Sequence, residues 1–144
     1  MVVNVGPKDY TATIVPVGQV RSAESDIVKV IKARDDWHIK QASRRKFEYS
    51  IEVEDYGAKA VMLQVGVAGG ADDSGDKGAW VYLLDRERKV IKKQFTKSNK
   101  TVWLNARAGQ GELYYVVIED NDTVLDGRYP GNAGYLEIRA LIKD

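Results

Sequence analysis

A short segment near the C-terminus concentrates side chains that can bind a cation. Its carboxylates are Glu119, Asp120, Asp122 and Asp126, with no Lys or Arg between them, and Asn132 follows after a turn. Four like charges this close repel one another, and a bound cation relieves that repulsion more completely than solvent screening does. Carboxylate and amide oxygens are the hard ligands that calcium takes. We therefore predict a calcium site at Asp120, Asp122, Asp126 and Asn132, with a solvated, salt-screened loop as the alternative.

A second acidic segment has the alternation of a calcium-binding loop in its first residues only. Asp72, Ser74 and Asp76 are spaced like the opening ligands of such a loop. Lys77 stands where that loop has its invariant Gly, and Leu83 stands where it has its bidentate Glu. The pattern is more typical of a solvated polar turn.

Residues that serve nucleophilic catalysis are sparse. The chain has one histidine, His38, no Cys, and no Ser within a Gly-x-Ser-x-Gly motif. These counts exclude thiol nucleophiles, Cys-ligated zinc and zinc sites that need two or three histidines. The two carboxylates of a glycoside hydrolase are paired in space rather than in sequence, and no pattern selects a pair from the 21 acidic residues. We predict that the protein is not an enzyme.

Basic residues cluster between positions 86 and 100, where seven Lys or Arg face one acid. One interpretation is a nucleic-acid surface, with Lys89, Lys92, Lys93 and Lys97 on phosphates and Trp103 stacking on a base. The other is an edge strand whose lysines prevent edge-to-edge pairing. The net charge of the whole chain is only +1, so no wider basic surface supports the first interpretation. We favour the edge strand and expect no nucleic-acid partner.

Aromatic side chains are the candidates for stacking on a sugar ring. Most of them must be in the core, because they lie in predicted strands. Tyr129 differs, since it sits in the turn region beside the acidic cluster. We therefore predict ligand binding by Tyr129, Asn132 and Asp126. The aromatic residues considered were Trp37, Trp80, Trp103, Tyr114, Tyr115, Tyr129 and Tyr135.

Alternation with period two is the dominant pattern of the elements that must position these side chains. In residues 47–53 the apolar Phe47, Tyr49, Ile51 and Val53 alternate with polar residues, as in a half-buried strand. Residues 22–34 are rich in β-branched side chains and are predicted to form a further strand rather than a helix, with 37–39 as its extension or as the start of the next. Other predicted strands cover 11–20, 58–67, 79–84, 89–95, 101–105, 112–119 and 135–142.

Length and punctuation indicate one domain. The 144 residues suffice for a core without disulfides or a structural metal. Short strands separated by turn-forming segments predict an all-β fold, an antiparallel jelly-roll-type β-sandwich of about eight to ten strands over residues 1–144. The strand at 112–119 is apolar on both faces and is predicted to be central. No run of 18 apolar residues and no signal peptide is visible, so membrane insertion is not expected.

The C-terminal segment resembles small calcium-dependent galactose-binding lectins and related jelly-roll modules. The resemblance lies in residues 111–122, GELYYVVIEDND, and 127–138, GRYPGNAGYLEI. It implies that Asp120 or Asp122, Asn132 and carbonyls near Arg128 are calcium ligands, with sugar hydroxyls completing the shell. Gly131 departs from the pattern, because it stands where those lectins have another Asn or Asp ligand.

The chain is also similar to the pre-peptidase C-terminal type of sandwich found behind secreted proteases. The similarity is carried by Asp36-Trp37 at the start of a strand and by residues 109–117 before the last hairpin. It implies a non-catalytic accessory module stabilised by calcium. Both resemblances imply an exported module, extracellular or periplasmic.

The sequence therefore favours a non-catalytic, lectin-like module that binds carbohydrate with the help of calcium. The alternative is a structural or assembly sandwich, of capsid or surface-layer type or an accessory domain of a secreted enzyme, with no small-molecule ligand. Oligomerisation would be the mark of that second class.

Overall fold

Ten β-strands make up most of the described chain. The computed structural model describes residues 2–6, 15–20, 27–39, 46–69, 79–96, 100–120 and 132–143. No helix in these ranges could span a membrane. The strands are β1 (Val2–Gly6), β2 (Val15–Val20), β3 (Ile27–Ile39), β4 (Lys46–Glu52), β5 (Ala60–Gly69), β6 (Ala79–Leu84), β7 (Val90–Thr96), β8 (Thr101–Ala108), β9 (Leu113–Asp120) and β10 (Asn132–Lys143).

The strands form two five-stranded antiparallel sheets that pack as a jelly-roll β-sandwich, as the sequence predicted. Sheet A has the order β1-β4-β9-β6-β7, and sheet B has the order β2-β3-β10-β5-β8. Strands β3 to β10 pair as one long hairpin rolled on itself, β3 with β10, β4 with β9, β5 with β8 and β6 with β7. That pairing is the jelly roll, and β1 and β2 each add one strand to an edge.

The core lies between the sheets and is filled by alternate residues of each strand. Phe47, Tyr49 and Ile51 of β4, with Val53 just beyond it, are at most 1% exposed, and the acidic residues between them face outward. This division follows from the strand geometry, because successive side chains point to opposite faces of a sheet. The same alternation buries Leu136, Ile138, Ala140 and Ile142 of β10.

Strand β9 is the central strand of sheet A, as its apolar character on both faces predicted. Its Tyr114 is 5% exposed and belongs to the core, whereas Tyr115 points outward and is half-buried. The outward side chains of β9 are flanked by those of β4 and β6, which shield them from water: Val117 is 8% exposed, and the Arg88 guanidinium lies over the Tyr115 ring.

Side-chain hydrogen bonds secure the end of the sandwich where β4 leads to β5. Gln110 Oε1 accepts from the backbone amides of Tyr56, at 3.0 Å, and Ala58, at 3.1 Å, while its Nε2 donates to the Ala58 carbonyl at 2.7 Å. The Tyr114 hydroxyl accepts from the Gly109 amide at 2.7 Å. Burial raises the pKa of Tyr56 to about 12, and the nearby Glu54 carboxylate acts in the same direction. These hydrogen bonds stabilise the connection between β4 and β5 at this end of the sandwich.

Three elements test the strand predictions most directly. Of the β-branched segment predicted as a strand, residues 22–34, the part from Ile27 onward lies in β3, which continues through Trp37 to Ile39, and residues 22–26 lie outside the described residues. The strand predicted at 89–95, within the basic segment, is β7, an edge strand of sheet A, as we favoured. Strand β1 was not predicted, because a five-residue strand contributes too short a pattern to stand out.

Candidate functional site

The predicted calcium ligands lie where β9 ends and β10 begins. Asp120 is the last residue of β9 and pairs with Ala79, and Asn132 is the first residue of β10 and pairs with Ile39. Asp122, Asp126 and Tyr129 lie outside the described residues, as do the side chains of Asp120 and Asn132. Within the described ranges no group of three or more His, Cys, Asp or Glu could hold a metal ion. The calcium site therefore stays a prediction.

The two acidic segments of the sequence join strands at the same end of the sandwich. Segment 70–78, with Asp72, Ser74 and Asp76, lies outside the described residues; it follows Gly69, which pairs with Gly134 near the start of β10. It precedes Ala79, which pairs with Asp120 at the end of β9. Segment 121–131 connects those same two strand ends, Asp120 and Asn132. The topology thus brings the flanks of both acidic segments together, although they are far apart in sequence.

Strand β8 presents an aromatic and polar face to solvent. Its Leu104 and Ala108 are buried, with Val102 and Ala106 half-buried on the same side. The alternate residues Thr101, Trp103, Asn105 and Arg107 are all exposed. A large indole in such a series is unusual, because every other position on this face is polar.

Trp103 lies across Gly66 of the neighbouring strand β5. A Cβ atom added to Gly66 would stand 2.6 Å from two atoms of the indole ring, so the glycine is what lets the ring rest on the sheet. The guanidinium carbon of Arg139 is 4.4 Å from the ring centroid, and Arg139 Nε donates to Glu137 Oε2 at 2.8 Å. Trp103 nevertheless remains 38% exposed. The ring is thus held by residues of β5 and β10 and keeps part of its surface in contact with solvent.

Tyr135 of β10 is a second aromatic side chain on the same face. Its hydroxyl is 2.9 Å from the Thr101 hydroxyl, and the guanidinium carbon of Arg34 is 5.0 Å from its ring centroid. Tyr135 lies only three residues after Asn132, about 10 Å along the strand. The exposed face of sheet B therefore adjoins the segment in which the sequence predicted the site.

Register places these residues in rows across four strands. Arg34, Glu137, Gly66 and Trp103 form one row, and Lys32, Arg139, Gln64 and Asn105 form the next. We call the outward side chains of sheet B the Trp103 face; those described, apart from Gly and Ala, are Lys32, Arg34, Met62, Gln64, Thr101, Trp103, Asn105, Arg107, Tyr135, Glu137, Arg139, Leu141 and Lys143.

The outward face of sheet A carries aromatic rings too, but they pack on one another. The Trp80 and Tyr82 rings stack with centroids 6.4 Å apart, and Phe95 is 5.2 Å from Trp80. All three are half-buried. We call this surface the Trp80 face; Lys93 covers its edge, with Nζ 6.0 Å from the Trp80 centroid.

A single arginine closes the other side of the Trp80 face. Arg88 has a positive φ of 63°, in the turn between β6 and β7, where Asp85 Oδ1 accepts from the amides of Glu87 and Lys89. From there its guanidinium lies 4.2 Å from the Tyr115 ring centroid and donates twice to Glu48, at 2.6 and 3.0 Å. The hydrogen bond to Glu48 raises the pKa of Arg88. These paired groups are less available to a ligand than those of the Trp103 face.

Sequence reasoning did not select the Trp103 face as a site. It considered Trp103 as a stacking platform for a base and Tyr135 among the aromatic residues, but selected Tyr129 for the ligand. A signal was present, since Trp103 alternates with Thr101, Asn105 and Arg107 opposite an apolar series. That pattern indicates an indole in solvent, because the apolar series must take the buried side.

No protein-family model and no curated protein matches the chain. Among solved structures, it is similar to an arabinose-bound family 51 α-L-arabinofuranosidase, with a TM-score of 0.43 and 8% identity over 97% of this chain and 23% of that one. The chain therefore spans about a quarter of that enzyme's length.

Smaller proteins of similar structure match over most of their length. A family 36 carbohydrate-binding module in complex with calcium and xylotriose has a TM-score of 0.40 and 9% identity, covering 97% of this chain and 99% of that one. The mitogen from Yersinia pseudotuberculosis has a TM-score of 0.41 and 13% identity, covering 78% and 86%. Carbohydrate-binding and adhesin modules of β-sandwich fold are thus among the similar structures. At such identities none of their families is assigned to the chain.

Proposed function

We propose that this protein is a non-catalytic carbohydrate-binding module that binds glycans on the Trp103 face. The observation that carries the proposal is the exposed indole of Trp103, which lies against Gly66 and has polar residues on either side of it along β8. An aromatic ring kept in water costs free energy, and a sugar ring that covers it recovers that cost. Hydrogen-bonding groups beside the ring then fix the orientation of the sugar.

The polar groups within reach are suited to hydroxyl groups. Gln64 and Asn105 stand side by side in the row next to Trp103, and each side-chain amide both donates and accepts. Glu137 of β10 adds carboxylate oxygens on the side of Gly66 that lies away from β8. A sugar stacked on the indole would therefore meet donors and acceptors on both flanks. Binding would be an equilibrium without a covalent step.

The calcium prediction fits the same end of the molecule. In this proposal calcium binds Asp120, Asp122, Asp126 and Asn132 and orders the segment between β9 and β10. Tyr129, Asp126 and Asn132 would then bind the glycan beside the Trp103 face, at the end of β10 where Tyr135 lies.

A pair of tryptophan variants tests the binding surface. Trp103→Ala should weaken binding to the best ligand of a glycan array by more than about tenfold, because it removes the platform. Trp80→Ala is the matched control, since it removes an indole ring of the same kind from the Trp80 face, on the opposite side of the sandwich. It should leave affinity unchanged. Circular dichroism verifies that both variants fold. Equal losses in the two variants, or none in either, would refute the assignment of the face.

Thermal unfolding with calcium and with a chelator tests the metal site separately. A ligand at one hundred times its dissociation constant stabilises the fold by about 2.7 kcal/mol, which for this length raises Tm by several degrees. Asp122→Ala should abolish that rise. If the wild-type protein unfolds at the same temperature in both buffers, the calcium assignment is wrong, whereas glycan binding on the Trp103 face is still testable.

Assembly remains the second candidate function, because the edge strand β7 exposes two large apolar side chains. Val90 is 47% exposed and Ile91 is 39% exposed. Such residues suit contact with another copy, but Lys92 and Lys93 follow them directly and oppose strand pairing. Size-exclusion chromatography with light scattering distinguishes the candidates: a large closed oligomer favours assembly, and a monomer favours the binding module.

A further inference from the structure

The two outward faces of the sandwich differ in charge, although the whole chain is nearly neutral. Among the described side chains, the Trp103 face carries five bases and one acid; the bases are Lys32, Arg34, Arg107, Arg139 and Lys143. The acid, Glu137, is bonded to Arg139. Among these described side chains positive charge is therefore in excess.

Among its described side chains, the Trp80 face has one more acid than bases. Its described charged side chains are the acids Glu48, Glu52 and Glu119 and the bases Arg88 and Lys93. Arg88 is also committed to Glu48 through two hydrogen bonds. An anionic ligand would therefore distinguish the two faces by sign alone, beyond any preference for an aromatic ring.

Two arginines of the Trp103 face lie in different directions from its exposed ring. Arg34 lies in the same row as Trp103, three strand spacings or about 14 Å away between Cα atoms. Arg107 lies four residues along β8, again about 14 Å from Trp103. Both arginines are exposed, and no carboxylate of the described residues is bonded to either. Their guanidinium forks match planar carboxylate and sulfate groups.

We infer that the ligand of the Trp103 face is an acidic glycan, whose sugar rings carry carboxylate or sulfate groups. This inference rests on the proposed glycan-binding function and specifies its ligand class. One sugar ring of the chain stacks on Trp103, and its neighbours place their acidic groups against Arg34 and Arg107. The excess positive charge draws the polyanion to this face and makes the affinity dependent on salt.

Matched pairs of polysaccharides test the inference. Polygalacturonate and its methyl ester share their sugar rings and differ in charge, as do dextran sulfate and dextran. We expect each charged member to bind at least about tenfold more tightly than its neutral partner at low salt, because charge-assisted hydrogen bonds to arginine are strong. The pair with the larger ratio identifies carboxylate or sulfate as the preferred group.

Charge-removing variants connect the effect to this face. Arg34→Gln and Arg107→Gln should each weaken binding of the charged polysaccharide about tenfold and leave binding of the neutral partner unchanged. Lys93→Gln, which removes one positive charge from the Trp80 face, is the matched control and should have no effect. Arg107→Lys keeps the charge but loses the fork, so it should recover only part of the affinity.

The outcomes separate the two proposals. Equal or tighter binding of the neutral polysaccharides overturns the acidic-glycan inference and leaves the glycan-binding function in place. Failure to bind any polysaccharide, charged or neutral, refutes both. An oligonucleotide bound as tightly as the acidic glycan, with Trp103→Ala without effect, would show general polyanion attraction and also overturns the inference.

Discussion

Gly66→Ala tests whether the arrangement of Trp103 matters for binding independently of the ring itself. The new methyl group would stand 2.6 to 2.8 Å from three atoms of the indole ring, closer than any two such carbons can approach. The ring must therefore leave its place over β5. The substitution changes neither the charge of the protein nor the residues of its core.

The stability of this variant should be close to that of the wild type. Gly in the interior of a strand is less favourable than Ala by roughly 0.5–1 kcal/mol. The displaced ring loses its cation–π contact with Arg139, worth about 0.5–1 kcal/mol at an exposed position. The two effects nearly cancel, so we expect a Tm within about 4 °C of the wild type.

The effect on binding should be larger than the effect on stability. Trp103 is 38% exposed, which for a side chain of about 250 Å² leaves about 95 Å² for a ligand to cover. At about 25 cal/mol per Å² this area contributes at most about 2.4 kcal/mol, or about 50-fold in Kd. Gly66→Ala moves the ring rather than removing it, so about half of that free energy, roughly tenfold in Kd, should be lost.

Isothermal titration of the glycan identified on the array measures the loss, and a double mutant assigns its cause. If Gly66→Ala acts through the ring, then adding it to Trp103→Ala should cause no further decrease in affinity. Wild-type affinity in Gly66→Ala would refute the role of the ring's position. Additive losses in the double mutant would show that Gly66 affects binding by another route.

Three further predictions concern stability. Gln110→Ala removes three hydrogen bonds to the backbone at Tyr56 and Ala58. It should lower the free energy of unfolding, measured in urea titrations, by about 2–3 kcal/mol and leave glycan affinity unchanged. A loss below about 0.5 kcal/mol, the smallest usual contribution of one hydrogen bond, would contradict this. Arg88→Gly should be more stable than Arg88→Ala by about 1 kcal/mol, because both lose Glu48 while only Gly relieves the positive φ; equal stability would show that no strain is stored there. Because the pKa of Tyr56 is raised, its contribution to the free energy of unfolding is complete below pH 10 and is lost between pH 10 and about 12, where the phenol of the unfolded chain ionises first. Tyr56→Phe should therefore lose less stability than the wild type over that interval. Identical pH profiles for the two proteins would refute the shift.

Much of the fold was predictable because period-two alternation is a local property. Phe47 to Val53 could be assigned to a half-buried strand from seven residues, without knowledge of its partners. The β-branched residues of β3 and the two apolar faces of β9 likewise carry their own information. Strand β1 escaped prediction because its five residues offer too few repeats, and its place at a sheet edge is decided by pairing with β4.

The candidate surface was less predictable, because it depends on residues that are distant in the chain. Arg34, Trp103 and Arg139 come from β3, β8 and β10, and each looks ordinary in its own segment. The importance of Gly66 was invisible in the sequence, since a glycine within a strand has several possible causes. Only the register between β5 and β8 shows that it lies under an indole.

By itself the sequence determined that the protein is an antiparallel jelly-roll sandwich and that β7 is a basic edge strand. It also determined that acidic segments follow two strands of the sandwich. Local side-chain pattern suffices for these features, because burial on one side of a strand selects the residue type at every second position. The tertiary structure alone decided which strands became neighbours and hence where charge accumulated. With a net charge of +1 the sequence offered no sign of a basic face, whereas non-local strand pairing placed five of the described bases on the Trp103 face, against one described acid.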